Sequence, residues 1–471
     1  MSAERRARIK EGTKGLATRA RKLIGRPIQR KITAAISNYG GDRALLALLG
    51  KMVSRPGLVE WAYGEGETFL IKGALFLSGV RLDASAYDGV GTVWKEDLGH
   101  YHYNPAAGQR QPRMIPHALY LPHGFYTSLN LDPKSPFLLR RVGETLYVYL
   151  DELRLFPVEF ERRPSYYCRT TSTGAPMSYI GPHRLQRQLL IEYNAYCQFF
   201  SENTQCLFCG IIGEKPPYHG HYKGYFIASP EEVAEVAEAA YSEGVCSEME
   251  ITGGVLPERA EVPYILEVGR AIKERLGVNT IPGSQAVLVP PSTFGQMEAL
   301  KDAGWAGVAF NLEVWDQRLW PGIAPGKAAL MSQEAWLEAL EYAVQLFGKG
   351  QVASVLVAGL EPKTSLLAGI DWLAQRGIYG VPIPWMPMPG SSLEGHQTPT
   401  AAWHLEVAAR TLDIWEKYSL DPLRHSSGGF HYADLAIMRQ HLRELKEKRP
   451  DFEVTQDLRH ALAVEGTLPD L

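Results

Sequence analysis

The chain has 471 residues, 45% of them hydrophobic and 21% charged, ordinary values for a globular protein with a large core. A net charge of −3 excludes a general nucleic-acid binder, whose domain is usually strongly basic, and no run of about 18 apolar residues marks a membrane-spanning helix. Five cysteines are an odd, low number for a disulfide scaffold, so clustered thiols point to metal or redox work in a reducing, cytoplasmic setting.

At roughly 100–200 residues per domain, two or three domains are expected. Residues 1–57 read as a basic, helical N-terminal segment, with eleven Lys/Arg against two Glu in residues 1–35. Such a segment is a solvated, partly frayed helix or a patch for weak contact with an anionic membrane surface. It lacks the apolar stretch and cleavage site of a secretory signal. Residues 58–180 read as a β-rich (α+β) domain. Short runs such as "TFLIKGALFL" and "TLYVYLDELRLFPVEF" are separated by Gly, Pro and Asp turns.

Across 181–425 the pattern becomes strand then helix, repeated. Strands are expected in "RQLLIEYNAYC", "SEMEITGG", "TIPGSQAVLV", "GVAFNLEVW", "QVASVLVAGLE" and "YGVPIPWMPMPG". The helix of "SPEEVAEVAEAAYSEG" opens on Ser229 as N-cap with Pro230 at the first helical position, and Gly277 ends the helix of "YILEVGRAIKERLG". Six βα units without a dinucleotide fingerprint predict an α/β fold with a partial (βα)6 TIM-like barrel, whose active site lies at the C-terminal ends of the strands. Residues 426–471 read as a helical C-terminal tail.

The stretch "CQFFSENTQCLFCG", residues 197–210, holds three of the five cysteines. Cys197, Cys206 and Cys209 follow the first barrel strand with the spacing C-x8-C-x2-C, which puts them in a loop over the barrel mouth. Three thiolates suit a metal centre with one open position. A structural zinc would require a fourth protein ligand, such as His219 or His221. A [4Fe–4S] cluster on three cysteines keeps one iron free for a small molecule.

On these residues the chain resembles the radical S-adenosylmethionine (SAM) superfamily, in particular its biotin-synthase-like branch, over roughly 187–395. That family usually carries C-x3-C-x2-C, so the eight-residue gap is a departure; a longer loop is tolerated because closure entropy grows slowly with length. The resemblance implies a [4Fe–4S] cluster on the three cysteines, SAM on its open iron, an electron donor such as flavodoxin or ferredoxin, and a small-molecule or modified substrate. It implies that Phe208 lies beside the SAM adenine and that Thr252, Gly253 and Gly254 meet the SAM amino group. Asn311 and Glu313 correspond to the pair that holds the ribose, Leu356 to an adenine contact, and Glu361 to the end of the fifth-strand motif. Arg318 would pair with the SAM carboxylate, and Ser284 would line the same cavity. The more ordinary readings are a salt bridge for Arg318, a core hydroxyl for Ser284 and a helix cap for Glu361. Cys168 and Cys246 read as small hydrophobes, or as thiols that quench a substrate radical or accept a methyl group. The implied activity is reductive cleavage of SAM followed by hydrogen abstraction from a substrate carbon. The rival is a structural zinc or iron–sulfur protein that binds a partner and does no SAM chemistry.

Overall fold

In a computed structural model the described residues are 79–88, 118–211 and 222–422, apart from isolated positions within those ranges, together with Thr68, Ile71, Lys72, Leu75 and Phe76. The basic segment 1–57, His219, His221 and the expected tail 426–471 lie outside them.

Two sheets organise the described residues. The first holds β1 (Arg81–Leu82), β2 (Ala118–Tyr120), β3 (Tyr126–Ser128), β4 (Phe137–Val142), β5 (Thr145–Leu150) and β6 (Leu153–Phe160) in the order β1-β4-β5-β6-β2-β3. Its centre is the antiparallel β4–β5–β6 meander, in which β4 and β5 pair from Phe137 with Leu150 to Val142 with Thr145. The alternation read from "TLYVYLDELRLFPVEF" thus becomes a strand pair.

"TFLIKGALFL" is a correction. Its described residues Thr68, Ile71, Lys72, Leu75 and Phe76 are helical, and all are buried. Their spacing of three, one, three and one is the buried stripe of a helix, not the alternation of a strand. The β-rich look of the run hid a period of 3.6.

The second sheet contains β7 (His183–Arg184), β8 (Gln188–Glu192), β9 (Glu248–Thr252), β10 (Ser284–Val287), β11 (Gly307–Ala309), β12 (Val352–Ala358) and β13 (Ile378–Pro384). Their order is β13-β12-β11-β10-β9-β8-β7. Strands β8 to β13 are parallel neighbours in chain order, and among the described residues β13 does not pair with β8. That is the partial (βα)6 barrel. Six helices follow its strands: α1 (Pro230–Glu243), α2 (Glu261–Leu276), α3 (Phe294–Asp302), α4 (Gln333–Phe347), α5 (Lys363–Gln375) and α6 (Ala401–Lys417).

Local chemistry sets their limits. Ser229 and Glu232 form a capping box at the start of α1, and Gly244 ends that helix in the left-handed region. Thr293 caps α3 and Ser332 caps α4. The core is one continuous apolar cluster that runs from Ile71 through both sheets to Leu420. The segment between the sheets is tied to the barrel by Glu243, which accepts from Ser165 N at 2.6 Å and Tyr166 N at 2.9 Å. Glu161 adds a second tie, accepting from the Tyr126 hydroxyl at 3.1 Å and lying 3.2 Å from His183 Nδ1.

Candidate metal and cofactor centre

The cysteine loop starts five residues after β8. Cys197 precedes a helical turn, Gln198–Ser201, and Gln198 N donates to Val255 O at 2.8 Å. The eight-residue gap therefore contains a built turn, closed by Thr204 N on Phe199 O at 2.7 Å. Phe199 is buried and lies where a Cβ on Gly326 would be, 2.5 Å from it. Leu207 N donates to Ile323 O at 2.9 Å, and Leu393 N to Leu207 O at 3.2 Å. The loop is thus pinned to the segments that follow β9, β11 and β13, all at the barrel mouth.

Cys197 and Cys206 are buried, and Cys209 is half-buried. Burial pushes each thiol upward, Cys209 to about 12, and the neighbouring thiols raise Cys206 and Cys209 further. Against this, the Lys327 ammonium draws all three down. Among the described residues no three His, Cys, Asp or Glu side chains stand close enough to hold a metal ion. The fit to a cluster therefore lies in donor chemistry: three soft thiols on one pinned loop, within electrostatic reach of one another and of one buried cation.

The Gly-Gly turn after β9 serves the loop directly. A Cβ at Gly254 would meet Tyr196 O at 2.2 Å and Cys197 Cβ at 2.6 Å, and one at Gly253 would meet the Tyr193 ring at 2.6 Å. Gly254 N donates to Asn194 Oδ1 at 2.8 Å, while Gly254 O accepts from Tyr193 Oη at 3.0 Å. Thr252 O accepts from Tyr193 N at 2.9 Å. The close approach that requires glycine is thus with the cysteine loop's own backbone.

Beyond β11 the ladder to β12 slips by one residue. Val308 pairs with Val352 and Ala309 with Ala353, yet Glu313 bridges Leu356. This one-residue bulge places Glu313 in the left-handed region, at φ 74°. It also interrupts the period-two alternation expected of Asn311 and Glu313. Bulges re-aim side chains and cluster beside active sites, and a non-glycine residue at positive φ is a strained position. Side chains replace the lost ladder bonds: Asn311 Oδ1 accepts Val355 N at 3.1 Å, and Ser354 Oγ accepts Leu312 N at 3.0 Å. Three successive carbonyls are each capped, Phe310 by Trp336, Asn311 by Lys327 and Leu312 by Trp320. Lys327 Nζ also reaches Glu313 Oε1 at 2.6 Å.

The remaining expected contacts divide. Phe208 packs partly buried on the core beside the cysteines, and Leu356 is fully buried in β12. Glu361 is buried and brackets the loop after β11, accepting Trp315 N at 2.8 Å and Asp316 N at 2.9 Å. Arg318 stands in solvent, its side chain 88% exposed, with its guanidinium on Asp316; that pairing holds the Asp316 carboxyl down at about 2. Ser284 opens β10, at the end of the strand away from the mouth. Its hydroxyl is spent on Ile281 O and Ala306 N. The structure therefore puts both in their ordinary roles, surface ion pair and core hydroxyl. Sequence reasoning missed Lys327, Trp320, Trp336 and Asn194, because nothing local marks a lysine as buried until its partner is known.

No protein-family model matches the chain. A curated relative, bacteriochlorophyllide c C-7(1)-hydroxylase of Chlorobaculum limnaeum, is 28% identical over 258 residues, covering 52% of this chain and 64% of that protein. The chain thus spans less than two thirds of the relative's length. The comparison with solved structures finds methylornithine synthase PylB, with TM-score 0.39, 15% identity, and coverage of 57% of this chain and 78% of that one. It also finds the FeFe-hydrogenase maturase HydG of Carboxydothermus hydrogenoformans, with TM-score 0.36, 18% identity, and coverage of 51% and 53%. A third is OxsB, described as a cobalamin-dependent S-adenosylmethionine radical enzyme, with TM-score 0.27, 11% identity, and coverage of 57% and 36%. The sequence motifs resemble those of the radical SAM superfamily. The strand order and the place of the cysteine loop after the first barrel strand agree with the expectation drawn from those motifs. Among the described residues no helix is long and apolar enough to cross a membrane.

Proposed function

We propose that the chain is a radical SAM enzyme that abstracts hydrogen from a substrate carbon. The observation that carries this reading is the three-cysteine loop, pinned over the mouth of a partial barrel and facing a bulged, strained Glu313 with its buried cation. Cys197, Cys206 and Cys209 would hold a [4Fe–4S] cluster, which would supply the electron for reductive cleavage of SAM and so the radical chemistry needed for hydrogen abstraction.

The chain's own residues position and shield. The Gly254–Asn194 bonds fix where Cys197 leaves the barrel. The bulge holds Glu313 at the mouth, where its carboxylate would accept from the ribose hydroxyls. Phe208, partly exposed beside the cysteines, would offer apolar surface to the adenine, and the burial of the thiols keeps water away. The activity of the relative, a bacteriochlorophyllide c C-7(1)-hydroxylase, is itself a functionalisation of a carbon and supports this reading. A reductant such as flavodoxin or ferredoxin and a cytoplasmic setting belong to the same proposal.

The test is anaerobic. The full chain is reconstituted with iron and sulfide, reduced, mixed with SAM, and followed by electron paramagnetic resonance and a 5′-deoxyadenosine assay. The expected result is a reduced-cluster signal that changes with SAM, and release of 5′-deoxyadenosine. A colourless protein holding one zinc, with no nucleoside product, would replace the enzyme with a structural metal site.

A further inference from the structure

We propose that Lys327 is a positioning residue whose buried positive charge tunes the reduction potential of a cluster on the cysteine loop. This rests on the reading of the three cysteines as a [4Fe–4S] site. Lys327 lies in the short helix Pro325–Leu330, and the residue before it makes the contact that matters. Gly326 N donates to Thr204 O at 2.8 Å, and a Cβ at Gly326 would strike the Phe199 ring at 2.5 Å and Thr204 O at 2.7 Å. The helix is therefore pressed onto the eight residues between Cys197 and Cys206. Those extra residues acquire a task, since they dock the element that carries the cation.

From there Lys327 points inward and is 9% exposed. Its ammonium is held on three sides, by Glu313 Oε1 at 2.6 Å, by Asn311 O at 2.6 Å and by the Trp336 ring at 5.2 Å from its centroid. Such a group cannot swing into solvent without breaking a buried ion pair.

The pair also has a direction. At Cys206 the pull of Lys327 outweighs the push of Glu313, whereas at Cys209 Glu313 is the stronger of the two. The cation is carried by the helix docked on the segment between Cys197 and Cys206, away from bulk water, where charges act over distance with little screening. Net charge around an iron–sulfur centre is one of the levers on its potential. A cation there favours the reduced, more negative cluster.

The experiment is a potentiometric titration followed by electron paramagnetic resonance. It uses the anaerobically reconstituted full chain at matched iron and sulfide content, comparing wild type with Lys327→Met, Lys327→Gln and Lys327→Arg. The expected result is a midpoint potential shifted to more negative values in the Met and Gln variants and returned toward wild type by Arg. The Gln side chain can still bond to Asn311 O and Glu313, so it carries the test if the Met variant does not fold. Unmoved potentials in Met and Gln, or an Arg variant shifted as far as Met, would overturn the proposal. A wild-type chain that takes up no cluster would overturn the proposed function instead, so the two failures are distinct.

Discussion

A Cβ at Gly254 would sit 2.2 Å from the Tyr196 carbonyl oxygen and 2.6 Å from Cys197 Cβ. Backbone and a neighbouring Cβ cannot yield as the tip of a flexible side chain can. Gly254→Ala should therefore destabilise the fold by about 1–3 kcal/mol, the range for overpacking, and lower the iron bound per chain by displacing Cys197. Gly295 is the control, because nothing lies within 4 Å of its missing Cβ and it sits in α3. Gly295→Ala should be neutral or stabilise by up to about 1 kcal/mol. Urea unfolding and iron analysis of the two variants check this, and equal effects would refute the packing argument. The need for small residues after β9 was legible in "TGG", but its cause was not. Glycine was expected to admit a ligand, and the structure shows it admitting the cysteine loop. Glu313 was legible as a carboxylate at a strand end. Its left-handed backbone was not, since a positive φ is announced by glycine or asparagine and here falls on glutamate.

The loops that follow β11 and β12 are joined by one side chain. Glu361 accepts Trp315 N and Asp316 N at 2.8 and 2.9 Å, and burial raises its pKa despite those bonds. Glu361→Ala leaves two backbone donors without an acceptor and should cost about 1–3 kcal/mol, the penalty of an unmade buried hydrogen bond. Glu361→Gln keeps one acceptor oxygen and should cost less. Chemical denaturation orders the variants, and an Ala variant as stable as wild type would show the bracket to be idle. Elements with strong local chemistry were readable. Ser229, Glu232 and Gly244 bound α1, and Gly277 ends α2. Elements fixed by distant partners were not. The β11–β12 slip depends on Ser354 and Asn311 supplying ladder bonds from their side chains, a pairing no single segment displays. The stretch at Thr68–Phe76 failed for another reason. Its β-branched and aromatic content favoured a strand, while the spacing of its buried residues followed a helix.

At the scale of the molecule, the order of strands β8 to β13 was legible because each strand and its helix alternate in period along the chain. The way the last helix closes on the barrel was not, and it carries an acid-sensitive group. His404 in α6 is buried. Thr398 Oγ1 gives its proton to Trp385 O at 2.5 Å, so His404 Nε2 donates to that hydroxyl at 3.3 Å, and Nδ1 has no hydrogen-bond partner. Burial, helped by the Lys363 cation, pushes the imidazole down from 6.5 to about 3. The unfolded chain therefore takes up this proton before the folded one. The stability held by neutral His404 is fully present above about pH 6.5 and is lost as pH falls toward about 3, at a slope of up to about 1.4 kcal/mol per pH unit. His404→Gln removes that titration and leaves every carboxylate in place. Urea unfolding of both proteins between roughly pH 7 and pH 5 should give a steeper loss for wild type, the gap between the curves narrowing as pH falls. Curves that stay parallel would mean that His404 protonates in the folded state without cost, and that the contact between α6 and the barrel end at Trp385 opens more readily than its burial implies.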